Sequence, residues 1–154
     1  DWDEVRAIYA EGIATGNATF ETEVAPWERW NASHLEICRL VARRDERVIG
    51  WTALSPVSAR AVYRGVVEES IYIAAAARGQ GVGTLLRNAV IKAPEVAGLW
   101  TIQTSIFPEN KPSIALHQAC GFRIVGQRER IAKLHGVWRT TVFMERRSQV
   151  AGLD

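Results

Sequence analysis

The run Ser70-Ile71-Tyr72-Ile73-Ala74-Ala75-Ala76-Ala77-Arg78-Gly79-Gln80-Gly81-Val82-Gly83-Thr84-Leu85-Leu86-Arg87-Asn88-Ala89-Val90-Ile91 decides the reading of this chain. Apolar, strand-favouring residues lead to a turn with glycine at alternate positions, and helix formers follow at once. A strand that ends in such a turn and opens a helix aims free backbone N–H groups, and the positive end of the helix dipole, at one spot. That spot suits a phosphate. A Walker-type loop needs Lys and then Ser or Thr after its last glycine, whereas Gly83 is followed by Thr84-Leu85. The dinucleotide fingerprint needs Gly-x-Gly-x-x-Gly, and the third glycine here comes one residue early. Taken alone, the loop is also compatible with a tight turn that binds nothing.

Further along, Asn110-Lys111-Pro112-Ser113-Ile114-Ala115-Leu116-His117-Gln118-Ala119-Cys120-Gly121-Phe122 reads as one short helix. Asn110 is its N-cap, Pro112 is tolerated in the first turn, and Gly121 is the left-handed stop. Toward the N-terminus, residues 3 to 14 place Val5, Ile8, Tyr9 and Ile13 near one helical face, and Pro26 opens a second helix through Trp27, Trp30 and Leu35. Ile37 to Ala42 and Val48 to Leu54 form a hairpin around Arg44-Asp45-Glu46. Val66 to Ile73 is a strand, 84 to 93 a helix, Leu99 to Phe107 a strand, 111 to 120 a helix, and 122 to 128 with 137 to 145 a closing pair of strands. The chain is thus α/β (α+β), with early strands paired as hairpins and later ones separated by helices.

The 154 residues form a single domain (1–154) with 47% apolar and 23% charged residues, ordinary for a globular protein. Nineteen Lys and Arg against 17 Asp and Glu give too weak a field to point to nucleic acid or a membrane as partner. No apolar run approaches a membrane span, and the beginning lacks the basic-then-apolar order of a signal peptide, so a cytoplasmic location is the default. Cys38 and Cys120 read as buried reduced thiols. No His/Cys/Asp cluster has metal-site spacing and no Ser-His-Asp set is recognisable, so neither a metal nor an acyl-enzyme is expected.

The loop from Arg78 to Thr84 matches the Arg/Gln-x-x-Gly-x-Gly loop of the GNAT acetyltransferase superfamily, and the segment from Asn110 to Phe122 resembles the one that follows it there. Within that superfamily the chain is similar to the phosphinothricin and methionine sulfoximine N-acetyltransferases from about Ala7 to Met144. The likeness is carried by Asn17-Ala18-Thr19-Phe20-Glu21-Thr22-Glu23, Arg60 with Tyr63, Glu68-x-Ser70-Ile71-Tyr72-Ile73, Leu116-His117 and His135-Gly136-Val137-Trp138. It departs at Thr140, where the family usually has Asp, and at Leu134, where it usually has Lys. The resemblance implies a central, mixed but mostly antiparallel twisted sheet with helices on both faces, its strands 66 to 73 and 99 to 107 splayed at the acetyl-CoA site. A further strand is expected to precede the first helix in such proteins.

The implied activity is acetyl-CoA-dependent transfer to the α-amine of a small amino acid or analogue, directly, in a ternary complex. Alternatives are a GNAT enzyme acting on another small amine or a protein N-terminus, and a non-catalytic CoA-binding module. The loop Arg78, Gly79, Gln80, Gly81, Val82, Gly83 and Thr84, with Ile71, Tyr72, Ile73, Asn110 and Ser113, is expected to hold the acetyl-CoA. Such chemistry needs a base, an oxyanion donor and a proton for the thiolate. By strand alternation Glu68 shares a face with Ser70 and Tyr72 while Glu69 shares the other with Ile71 and Ile73, and the resemblance selects Glu68 as the base. The oxyanion donor is expected to be a backbone N–H near Tyr72 or Ile73. His117 stands where many GNAT enzymes carry a tyrosine and is the candidate acid. Arg60, Tyr63 and Arg64 are the candidates to clamp an acceptor carboxylate, Phe20 and Glu21 to wall the opposite side, and Trp27 or Trp30 to line the mouth. The partners expected are a small-molecule amine and a second copy of the chain.

Overall fold

The computed structural model describes residues 1–153. Six strands form one sheet in the order β1-β2-β3-β4-β6-β5, with β1 Leu40–Arg44, β2 Arg47–Pro56, β3 Val66–Ile73, β4 Thr101–Ile106, β5 Arg123–Leu134 and β6 Val137–Arg147. Only the β3–β4 pairing is parallel. Four helices cover the two faces: α1 Trp2–Ala14, α2 Trp27–Ser33, α3 Val82–Val96 and α4 Lys111–Ala119.

Strand alternation sorts the core into layers. On one face Leu54, Val67 and Ile102 pack with Val90 of α3, Phe122 and the half-buried Ile114 of α4. On the other, Trp51, Ala53 and Tyr72 pack with Val5 and Ile8 of α1 and Trp30 of α2. A bulge in the β1–β2 ladder, opposite the Ala42/Arg43 step, leaves Ile49 as an extra residue and inverts the alternation of β2 side chains there. Val48 joins the α1 side and Ile49 the α3 side.

Strand β3 pairs with β4 only from Val66–Thr101 to Glu68–Gln103, although β3 runs on to Ile73 and β4 to Ile106. From Glu69 onward the two parallel strands part, and the gap between them is the opening the sequence reading expects. The start of the pair is held close by a small residue: a β-carbon on Gly65 would fall 2.2 Å from the Trp100 ring.

Several boundaries differ from the sequence reading. β1 starts at Leu40 rather than Ile37, because Cys38 adopts φ 62°, a turn conformation. α3 begins at Val82 and continues past Pro94 to Val96. β5 and β6 are longer than expected, joined by His135 and Gly136 at φ 48° and 80°, the two positive φ values of a two-residue hairpin turn. Most of β5 is exposed on both faces, which erases the alternation that would have marked it. The Cys38 and Cys120 thiols are free and half-buried, and burial pushes both up from the ordinary thiol range. Among the described residues no helix is long and apolar enough to cross a membrane.

Replacing Gly65 by Ala forces a methyl into the Trp100 ring and should cost about 1–3 kcal/mol, as overpacked sites do. Urea denaturation of Gly65→Ala should show the lower midpoint, and an unchanged midpoint would sink this packing argument.

Candidate active site

A cleft of about 820 Å³ occupies the gap between β3 and β4. At one end stands the glycine loop. Glu11 of α1 accepts a hydrogen bond from the Ala75 N–H at 2.8 Å, fixing the short 3-10 turn that leads into it. Gly79 and Gly81 adopt φ 70° and 83°, which residues with side chains rarely do, and a β-carbon on either would meet nothing within 4 Å. The backbone there is bare to the cleft. Gly81 caps α3 with no side-chain hydrogen bond, so the first-turn amides of Val82, Gly83 and Thr84 depend on a ligand or solvent for partners. α4 approaches this turn closely, since a β-carbon on Gly83 would fall 2.8 Å from Leu116. Arg78, Gly79, Gly81, Val82, Gly83 and Thr84 all line the cleft. Gln80 does not: its side chain turns back and donates to the Ala76 carbonyl at 2.8 Å.

Ile71, Tyr72 and Ile73 form the β3 wall. Ala74 donates its N–H to Ile49 on the β2 side. Alternation then turns the Tyr72 amide toward β2 as well and leaves the Ile71 and Ile73 amides facing the gap. Ile73, not Tyr72, therefore offers a free N–H. The Ile73 carbonyl accepts from Arg78 Nε at 3.2 Å, laying the guanidinium stem across the strand end.

The two neighbouring acids of β3 have opposite surroundings. Glu68 is exposed, lines the cleft on the α1/α2 face, and accepts a hydrogen bond from Gln103 Nε2 at 3.1 Å. The Glu69 side chain is fully buried on the other face, where Arg87 Nη1 of α3 donates to it at 2.7 Å and the Thr52 hydroxyl at 3.4 Å. Burial pushes the Arg87 guanidinium down from its ordinary value, and the Glu69 charge opposes that shift. His117 Nε2 of α4 lies 3.6 Å from Glu69 Oε2, while Nδ1 lies 2.6 Å from the Ser113 carbonyl. A carbonyl only accepts, so Nδ1 carries a hydrogen. Nε2 is buried beside the cleft with no hydrogen-bond partner.

A further wall of the cleft comes from the end of α1 and the loop after it. Asn17, Thr19 and Phe20 line the cleft, and Phe20 packs edge-on to Phe107 at 4.9 Å. Asn110 caps α4 by accepting from the Ser113 N–H at 3.4 Å and also donates to the Asn17 carbonyl at 3.2 Å. Tyr72 lies between Trp51 and Tyr9, with ring centroids 5.0 and 4.7 Å away. Burial pushes the Tyr72 and Tyr9 phenols up, so both remain neutral hydroxyls across the working pH range. α1 reaches Tyr72 only because residue 12 is glycine, whose β-carbon would otherwise fall 2.5 Å from the ring.

Other candidates stand apart. Arg60 stacks on Tyr63 and Arg64 on Trp100 in the exposed segment before β3, outside the cleft lining. Glu21 is exposed and outside it too. Trp27 and Trp30 pack with Trp2 rather than at the mouth. Phe107, Leu116 and Arg139 are not among the site residues expected from the sequence, although Leu116 stands in the Leu116-His117 motif and Arg139 beside the singled-out Trp138. Among the described residues no three His, Cys, Asp or Glu side chains converge as metal ligands.

The sequence model of the Acetyltransferase (GNAT) family matches residues 2–122. The chain is 34% identical to the phosphinothricin N-acetyltransferase of Alcaligenes faecalis, over 95% of this chain and 77% of that protein. It is 33% identical to the L-methionine sulfoximine/L-methionine sulfone acetyltransferase of Pseudomonas paraeruginosa, over 94% and 88% of the two chains. It superposes with a TM-score of 0.85 and 29% identity on a GNAT superfamily phosphinothricin acetyltransferase from Sinorhizobium meliloti in complex with acetyl-CoA, covering 97% of this chain and 84% of that one. Sequence and topology agree with the glycine cradle, and the chain belongs to the GNAT family of acetyltransferases.

Proposed function

We propose that this enzyme transfers the acetyl group of acetyl-CoA directly to the α-amine of a small amino acid or amino-acid analogue, with both substrates bound together. The observation that carries the reading is the bare backbone cradle at Gly79 and Gly81, opening onto a strand gap whose opposite face presents the exposed Glu68. Acetyl-CoA supplies an activated thioester.

This chain's own residues do the rest. The amides of Val82, Gly83 and Thr84 and the α3 dipole hold the pyrophosphate. Ser113 and Asn110 at the start of α4 flank the pantetheine arm. Glu68 accepts the proton of the substrate ammonium at its carboxylate, directly or through a water, and so frees the amine lone pair. The Ile71 and Ile73 amides offer their hydrogens toward the developing oxyanion. His117, with Nδ1–H fixed on Ser113, serves as the acid when Nε2 also carries a hydrogen: Nε2–H gives its proton to the departing sulfur as the C–S bond breaks, and the proton that the newly acylated nitrogen sheds restores it.

The names of the relatives, which act on phosphinothricin and methionine sulfoximine, support an amino-acid acceptor. The family departures lie in the closing hairpin: Leu134 is buried, and Thr140 Oγ1 accepts from the Arg130 N–H at 3.1 Å. One observation favours a second reading, an acceptor without a carboxylate. Among the described residues Arg78, at the phosphate end, is the one Arg or Lys lining the cleft. A carboxylate clamp then requires Arg60 or Arg64 to swing inward.

Three measurements test these assignments. Gly81→Val places a side chain at φ 83° and over the bare amides, so titration calorimetry should show CoA affinity lost in a folded protein; unchanged affinity sinks the phosphate cradle. Glu68→Gln keeps the Gln103 contact yet cannot take a proton, and kcat/KM should fall by about two to four orders of magnitude. An active Glu68→Gln would move the base elsewhere. Finally, a panel of free and esterified amino acids with acetyl-CoA should show the free acids favoured, with Arg60→Ala raising their KM about tenfold or more. Equal rates for acid and ester would favour the second reading.

A further inference from the structure

The loop that walls the acceptor side has neither helix nor strand geometry across Gly16–Phe20, and its local bonds, from the Asn17 N–H to the Thr15 hydroxyl and from the Glu21 N–H to the Thr19 hydroxyl, each 3.1 Å, do not tie it to the rest of the fold. Arg139, near the start of β6, meets it from 122 residues away. Its Nη1 donates to the Gly16 carbonyl at 3.0 Å, and its Nη2 donates to Asn17 Oδ1 and Glu109 Oε2, each at 3.3 Å. The guanidinium lies 3.9 Å above the centre of the Phe107 ring, the ring against which Phe20 packs. The Glu109 carboxylate is 64% exposed and adds little, whereas Arg139 itself is 19% exposed and spends its planar fork on the loop. Asn17 is gripped from both ends, its side chain by Arg139 and its carbonyl by Asn110, which also caps α4.

We infer that Arg139 is a positioning residue for the acceptor: it straps the Asn17–Phe20 wall to the last hairpin and to the start of α4, and so sets the width of the amine pocket without touching the cradle. The inference rests on the acetyl-transfer reading only for what enters that pocket; the strap itself can be observed without turnover.

Hydrogen–deuterium exchange of the ligand-free full chain, followed by kinetics, tests it. Arg139→Met keeps the stem over Phe107 and removes the donors. The amides of Asn17–Phe20 should then exchange about tenfold faster, and the acceptor KM should rise by a similar factor while kcat changes little and calorimetric CoA affinity stays unchanged. A purely structural role would instead lower CoA affinity and the unfolding midpoint together. Arg139→Lys, which restores one charge but not the fork, should fall between, and it decides the matter should Arg139→Met fail to fold. Unchanged loop exchange in a folded variant overturns the proposal, as does faster exchange with an unchanged acceptor KM. If the unmutated enzyme acetylates no amine, the function above fails while the exchange result still decides the strap.

Discussion

The cleft depends on one ion pair, between Glu69 and Arg87, buried where β3 and β4 stop pairing. Its row on β3 is otherwise apolar, with Val67, Ile71 and Ile73 as its neighbours. Such a pair gives little net stability over an apolar replacement, because two charges must be desolvated, yet removing one partner costs about 3–5 kcal/mol by stranding the other. What it provides is placement. One carboxylate receives Arg87 from α3, Thr52 from β2 and the approach of His117 from α4, so the elements bounding the cleft converge on a single point. The Phe122 ring closes the cluster, with the Arg87 guanidinium 5.0 Å above its centre and the His117 ring edge-on at 5.1 Å.

Adjacent residues of one strand thus divide the work by the geometry of the pleat. Glu69 faces α3 and α4 and is consumed in structure, while Glu68 faces the α1/α2 side and stays exposed to the cleft. The amides alternate in the sheet plane as the side chains do across it, and those of Ile71 and Ile73 turn into the gap because their even-numbered neighbours are taken by β2.

Features set by local chemistry were legible in the sequence. The glycine turn, the Asn110 cap, the left-handed Gly121 and the division of Glu68 from Glu69 each follow from a few adjacent residues and from periods of two or 3.6. Features set by distant partners were not. Nothing near position 139 announces a bond to Gly16, nothing in the glycine loop says that Gln80 folds back on Ala76, and the opposite roles of the arginines at 60, 64 and 87 depend on which element each faces. The tryptophans illustrate the same limit. Trp2, Trp27, Trp30 and Trp51 make one aromatic train beneath α1 and α2, an arrangement visible only once those helices lie on the sheet.

The left-handed glycines have a consequence for how such an enzyme can change. At Gly79 and Gly81 the cleft is bounded by main chain, which every amino acid possesses, so a side chain added there would cover the backbone rather than supply a new contact of the same kind. The opposite wall is written in side chains, Phe20, Thr19 and Asn17, held in place from afar. The glycine end of the cleft is therefore shaped by backbone and the other end by side chains, so exchanging one side chain for another reshapes the second far more readily than the first.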